Sequence, residues 1–323
     1  MTRTLLRFPA LLAAAALGLA PAAAHAQRTT VRLDETELAR IDTTIAFGAN
    51  GVVDLSQVSG NIIVTAWNRP QARISAYVES GSIRADLSAR NILLEVRSRR
   101  GRIGDSEFRL QVPVGTRIIA HNTSGDITVS GVKAQVELKS VSGDVHVSDA
   151  TDRITLESVS GSVRGSQLVG TIRATSVSGD VDLDQIKGDL EIETTSGEIK
   201  LRGATSSNVR TETVSGDVEF RGPLDKNGRY DFKSHSGTIH IGIPEGSGAS
   251  FSVTTFSGSV DSDLPMTLQP SSDPPARSGR RSGAGRKNME FTIGGGGARV
   301  TATSFSGDIN IERARAGSGK EEQ

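Results

Sequence analysis

The chain of 323 residues contains no cysteine. That excludes disulfide staples, thiol nucleophiles and thiolate metal sites, so the fold must hold through packing and hydrogen bonds alone. An excess of charge of either sign is also missing. Lysine and arginine number 37, and so do aspartate and glutamate, which argues against a nucleic-acid partner that needs a basic footprint. Aromatic residues make up 4% of the chain, and Trp67, Tyr77 and Tyr230 are the only Trp and Tyr residues, so there is little material for the platforms on which sugars stack. Beyond the N-terminus no apolar run is long enough to cross a bilayer, and no sustained helical period is found.

The N-terminus has the pattern of a processing segment. Arg3 and Arg7 precede an apolar run from Leu11 to Leu19, and Ala24-His25-Ala26 offers a small-x-small cleavage site. A signal peptide over residues 1–26 is expected, with Gln27 first in the mature chain and no transmembrane segment left after cleavage. Export to the periplasm or the exterior follows. Because no cysteine follows the apolar run, a lipoprotein anchor is excluded.

Glycine is plentiful, at 36 residues, and its placement is periodic. The cluster Val141-Ser142-Gly143-Asp144 has near copies centred on Gly125, Gly161, Gly179, Gly197 and Gly216, and successive subtraction gives intervals of 18, 18, 18, 18 and 19. In register with each glycine, one apolar column reads Ile127, Val145, Val163, Val181, Ile199 and Val218. A second begins Val129 and Val147, and further columns begin Val136 and Leu138. Period-two alternation within a repeat, with the same residue type from repeat to repeat, means short strands whose inward side chains stack on the coil below. The expected fold is all-β: a right-handed single-stranded parallel β-helix, or β-solenoid, with coils of about 18 residues.

The corner residues are then structural. Gly60, Gly125, Gly143, Gly161, Gly179, Gly197, Gly216, Gly237, Gly258 and Gly307 are expected at sharp corners, where glycine adopts positive φ without penalty. Ser and Asp beside them are expected to satisfy backbone groups. Residues 27–59 form an N-terminal cap, 60–264 the coils, 265–288 a disordered basic insertion rich in Pro, Ser, Gly and Arg, 289–312 the final coils and 313–323 a tail. Between about 84 and 120 the repeat is interrupted by an excursion, in which Ile92–Val96 and Phe108–Val112 form a hairpin or longer coils. The basic turn from Arg97 to Arg102 is taken as solvated, and the insertion as a plain flexible loop.

No arrangement of residues carries a catalytic site. The acidic column Asp126, Asp144, Asp180, Glu198, Asp217 and Asp308 would suit calcium chemically, but the Gly-Gly-x-Gly-x-Asp pattern of calcium solenoids is missing. Capping of corner N–H groups is the preferred role, and no metal or cofactor is expected. Histidines 121, 146, 235 and 240 lack ligand spacing, and carboxylates spread one per coil do not converge as a glycan-cleaving site requires.

The Ser-Gly-Asp-Ile/Val repeats, the Thr65-Ala66-Trp67-Asn68 strand, and the terminal Ala298-Arg299 and Ser304-Phe305-Ser306-Gly307-Asp308 segments together resemble the DUF4097 family of bacterial adhesin-type, β-strand-repeat proteins, over about residues 50 to 312. The resemblance implies a non-enzymatic exported solenoid that acts in adhesion or as an envelope scaffold, with a protein or envelope polymer as partner. The alternatives are a polysaccharide-active enzyme on the same fold and a calcium-stabilised rod.

Overall fold

A computed structural model describes residues 39–97, 104–268 and 287–314. The expected signal segment, the first part of the expected cap, most of the basic turn, residues 269–286 of the expected insertion and the tail from 315 lie outside the described residues. Every regular element described is a strand. The N-terminal part comprises β1 (Ala39–Ala46), β2 (Val52–Trp67), β3 (Gln71–Val78), β4 (Ser82–Leu87), β5 (Asn91–Arg97), β6 (Ser106–Pro113) and β7 (Arg117–Ser124). The regular part runs through β8 (Ile127–Ser130), β9 (Val136–Ser142), β10 (Val145–Ser148), β11 (Thr151–Ser160), β12 (Val163–Ser166), β13 (Val169–Ser178), β14 (Val181–Asp184), β15 (Lys187–Ser196), β16 (Ile199–Arg202), β17 (Asn208–Ser215), β18 (Val218–Arg221), β19 (Arg229–Ser236) and β20 (Ile239–Ile243). The chain closes with β21 (Ala249–Ser257), β22 (Val260–Ser262), β23 (Met266–Leu268), β24 (Lys287–Ile293), β25 (Ala298–Ser306) and β26 (Ile309–Arg313).

These strands form two ladders joined by β2, whose first half belongs to sheet A and second half to sheet B. Each repeat gives one longer strand to sheet A and one short strand to sheet B, with the Ser-Gly corner between them. Pairing is parallel and in register: Val145 lies beside Ile127 and Val163, 18 residues before and after it. Alternation places one face of each strand in a shared core. All members of the apolar columns are fully or nearly fully buried, and a further buried column, Val132, Ala150, Leu168, Ile186 and Ala204, lines the opposite corner.

A reversed strand flanks the stack in both sheets at the N-terminal end and in sheet A at the C-terminal end. β1 and β3 are antiparallel neighbours beyond β6 in sheet B, and β4 is antiparallel to β5 in sheet A. At the other end, β24 runs antiparallel to β21, and β23 follows it antiparallel to β24, while sheet B ends on β22. The excursion holds no hairpin between β5 and β6: β5 joins β2 in sheet A, while β6 joins β2 in sheet B. Neither strand could bury its apolar face if the two paired only with each other.

The C-terminal coils do not stack in chain order. β25 and β26 sit between β19–β20 and β21–β22, so the last coil of the sequence is the second-to-last rung of the stack. Side-chain volume in sheet A fits this order. Tyr230 and Phe232 are fully buried, and the strand beside them carries Val300 and Ala302, with the larger Phe251 and Val253 one rung farther on. A small rung separates two large ones, which keeps the core at even density.

Candidate functional site

Along one edge of the molecule the ten corner glycines form a continuous ladder, in the order Gly60, Gly125, Gly143, Gly161, Gly179, Gly197, Gly216, Gly237, Gly307, Gly258. All ten expected corners therefore lie together, but positive φ is only part of the reason for glycine. Gly60, Gly125, Gly143, Gly237 and Gly307 have φ between 106° and 157°, whereas the other five lie outside the left-handed region. Backbone approach is what every rung shares. A β-carbon on Gly179 would sit 2.1 Å from the carbonyl oxygen of Gly161, and the same contact recurs at 2.1 or 2.2 Å from Gly125 to Gly258.

The acidic column caps this ladder except at Glu198, whose carboxylate instead accepts from Lys200 Nζ at 2.6 Å. Asp126 Oδ1 accepts from the Asp144 N–H at 2.9 Å, Asp144 Oδ1 from the Ser162 N–H at 2.9 Å, and Asp180 Oδ1 from the Glu198 N–H at 2.9 Å. Asp217 and Asp308 do the same for Thr238 and Ser259, each at 2.7 Å. Burial is the largest single influence on the Asp144 carboxyl and pushes its pKa up. The Ser162 N–H and the Arg164 guanidinium together outweigh it, so the group stays below the ordinary aspartate value. At Asp308 the Ser259 N–H leads in holding the pKa down, followed by the Ser259 hydroxyl. Among the described residues no group of three or more acidic or histidine side chains is arranged to hold a metal.

The serine of the motif does not share this work. Its expected capping role falls instead, at most rungs, to a buried residue three positions before the glycine, although Ser140 and Thr213 in the same row have no hydrogen-bond partner. Ser158 donates to the Gly143 carbonyl at 3.2 Å, Ser176 to that of Gly161 at 3.3 Å and Ser234 to that of Gly216 at 3.2 Å. Asn122 donates to both Gly60 and Gly125 at 2.8 Å. Sequence reasoning missed this row, although its 18-residue period of Ser, Thr or Asn was visible. It also missed the opposite corner, where Gly131, Asp149, Gln167, Gln185 and Gly203 adopt left-handed φ at the same spacing. Ser80-Gly81, which resembled a degenerate copy, lies in the turn before β4 and outside the ladder.

Two outward rows remain without a structural task. Among the described residues, the Ser-Gly serines from Ser124 onward make no side-chain hydrogen bond, and only Ser59 bonds, to Asp105 at 3.1 Å. The row one step before them holds Val58, Val141, Val159, Val177 and Val214, which are 41–50% exposed. At the C-terminal end this row becomes aromatic. His235 stacks on Phe305 at 4.9 Å, and Phe305 stacks on Phe256 at 5.0 Å, with the rings nearly parallel. A groove of about 360 Å³ runs beside this stack, walled on its other side by Glu212 and Lys233. The ring faces point along the stack and cover one another, so the groove meets ring edges.

A family model described as Toastrack DUF4097 matches residues 104–312. The chain belongs to the DUF4097 Toastrack family. The matched span begins within the last strands of the excursion and ends in the final coil, and so takes in nine of the ten corner glycines. Among solved structures, this Toastrack chain is similar to a "putative cell adhesion protein" from Clostridium sporogenes ATCC 15579, with 11% identity, 86% of this chain and 100% of that one covered, and a TM-score of 0.21. It is also similar to a "putative lipid binding protein" from Parabacteroides distasonis ATCC 8503, with 10% identity, 84% and 96% covered, and a TM-score of 0.40. Comparison with the curated proteins finds no match. No helix among the described residues is long and apolar enough to cross a membrane.

Proposed function

We propose that this Toastrack chain is a non-enzymatic, exported scaffold of the cell envelope that holds a protein or an envelope polymer along its corner edge. The edge composition carries the proposal. Across ten rungs, neither the motif serine nor the residue before it is ever Asp, Glu, Lys or Arg, in a chain that is 23% charged. Free hydroxyls beside an apolar ridge suit an uncharged or weakly charged partner, which gains hydrogen bonds and apolar contact at little desolvation cost. A right-handed winding in coils of about 18 residues belongs to the same proposal, supported by the strand offsets and by the crossover preference. The signal peptide would deliver the chain to the periplasm or beyond it.

The test is retention of the mature chain on isolated envelope fractions, beside a Val141→Asp/Val159→Asp variant. Retention of the parent, lost in the variant at unchanged melting temperature, is the expected result. If the parent is not retained, the scaffold role falls; if it releases soluble fragments from envelope glycans, the non-enzymatic part falls.

A further inference from the structure

The outer face of sheet A carries a two-by-two charge checkerboard. Arg210 and Glu212 on β17 lie in register with Asp231 and Lys233 on β19. Opposite charges pair within each strand, Arg210 with Glu212 at 3.3 Å and Lys233 with Asp231 at 3.4 Å, yet these side chains remain 26–49% exposed. Such a pattern is its own complement. Rotation by 180° about an axis parallel to the strands, midway between β17 and β19, sets Glu212 against Lys233 and Arg210 against Asp231 of a second copy.

The same rotation carries β15 onto β25 and β13 onto β21. Asp189 then opposes Arg299, Phe305 opposes Thr195 and Phe256 opposes Val177, so bulky side chains meet small ones. No pair of like charges is created over these six strands. A shift of the axis by one rung either way opposes Glu193 to Glu212 or Arg229 to Arg299, and an axis lying on a strand opposes each charge to itself. Six strands about 4.8 Å apart and about eight residues long at ~3.3 Å each make a face on the order of 750 Å². A stable interface buries about 800 Å² per partner. Grooves of about 360 and 450 Å³ open on this face and give it relief.

We infer that the outer face of sheet A, from β13 to β21, is an isologous docking surface for a second copy of this chain, with the two-fold axis between β17 and β19. The two stacks run in opposite directions, and the motif serines and the N-terminal part of the ridge stay accessible. Sedimentation velocity of the mature chain at low salt tests this. The parent is expected to dimerise with rising concentration, and Lys233→Glu, which opposes Glu to Glu212 twice per dimer, to weaken association by about tenfold or more. Glu212→Lys/Lys233→Glu reverses both members of the facing pair and is expected to restore the dimer. Circular dichroism melting confirms that each variant is folded. A parent that stays monomeric up to about 200 μM, a dimer indifferent to Lys233→Glu, or a double reversal that fails to restore association would each overturn the assignment.

Discussion

A glycine can be required at a corner for its backbone angles or for the space its missing side chain leaves, and the ladder separates the two. Gly179 lies outside the left-handed region, yet an added methyl would meet the Gly161 carbonyl at 2.1 Å. Gly295 has a φ of 81° with nothing within 4 Å. Gly179→Ala is therefore expected to cost about 2–3 kcal/mol through forced displacement of stacked backbone. Gly295→Ala should cost about 1 kcal/mol, through conformation alone. Thermal melting of the two variants checks the order. Asp144 supplies a pH test at the same scale. Its folded pKa lies below the ordinary value, so folding favours the ionised form. The stabilisation is complete above the unfolded carboxyl pKa of about 3.9 and is lost as pH falls through the folded value. Asp144→Ala should lower stability by about 1 kcal/mol near pH 6, because the Ser162 N–H loses its acceptor. The gap between parent and variant should narrow below pH 4. Asp144→Asn, which keeps an acceptor oxygen, should lie between them; a gap independent of pH would contradict this account.

At the scale of the element, the strands are too short to be stable alone, and four-residue strands such as β10 and β14 persist because each is paired on both sides. Their apolar columns were legible in the sequence because inward positions repeat in both type and spacing. Rung order was not legible in the same way. Every coil offers the same hydrogen-bonding edges, so pairing alone accepts β21 or β25 beside β19. The buried Ala302, between Phe232 and Val253, makes the difference. Ala302→Leu should overfill this layer and cost about 1–3 kcal/mol in chemical denaturation, whereas Thr301→Leu on the outward side should be nearly neutral. Equal effects would mean that volume does not set the order.

For the whole molecule, reversed strands flank both sheets at the N-terminal end and sheet A at the C-terminal end, and Arg40, Asp42, Arg84 and Asp86 add charge to the N-terminal end strands, which disfavours edge pairing there. The two proposals place different partners on the faces and the corner edge. Sheet A's checkerboard suits a second copy, and the serine and apolar rows of the corner edge suit an envelope component. The two fail separately, since reversal of Lys233 leaves Val141 and Val159 untouched.

The sequence by itself determined the repeat, the all-β class, the inward columns and the place of the ten Ser-Gly corners, because a period shared by glycine and apolar residues has one economical explanation in stacked coils. The acidic column's capping role was likewise legible from residue type. Only the tertiary structure decided that Ser142 and its counterparts are free while Ser158 and its counterparts are buried, most of them as donors, since a shift of two residues along a strand keeps the same face and leaves burial to the bend at the corner. It also decided that the last coil enters the stack before its predecessor. Pattern fixes which residues can pair, but the volume between neighbouring rungs selects which of the equivalent pairings is occupied.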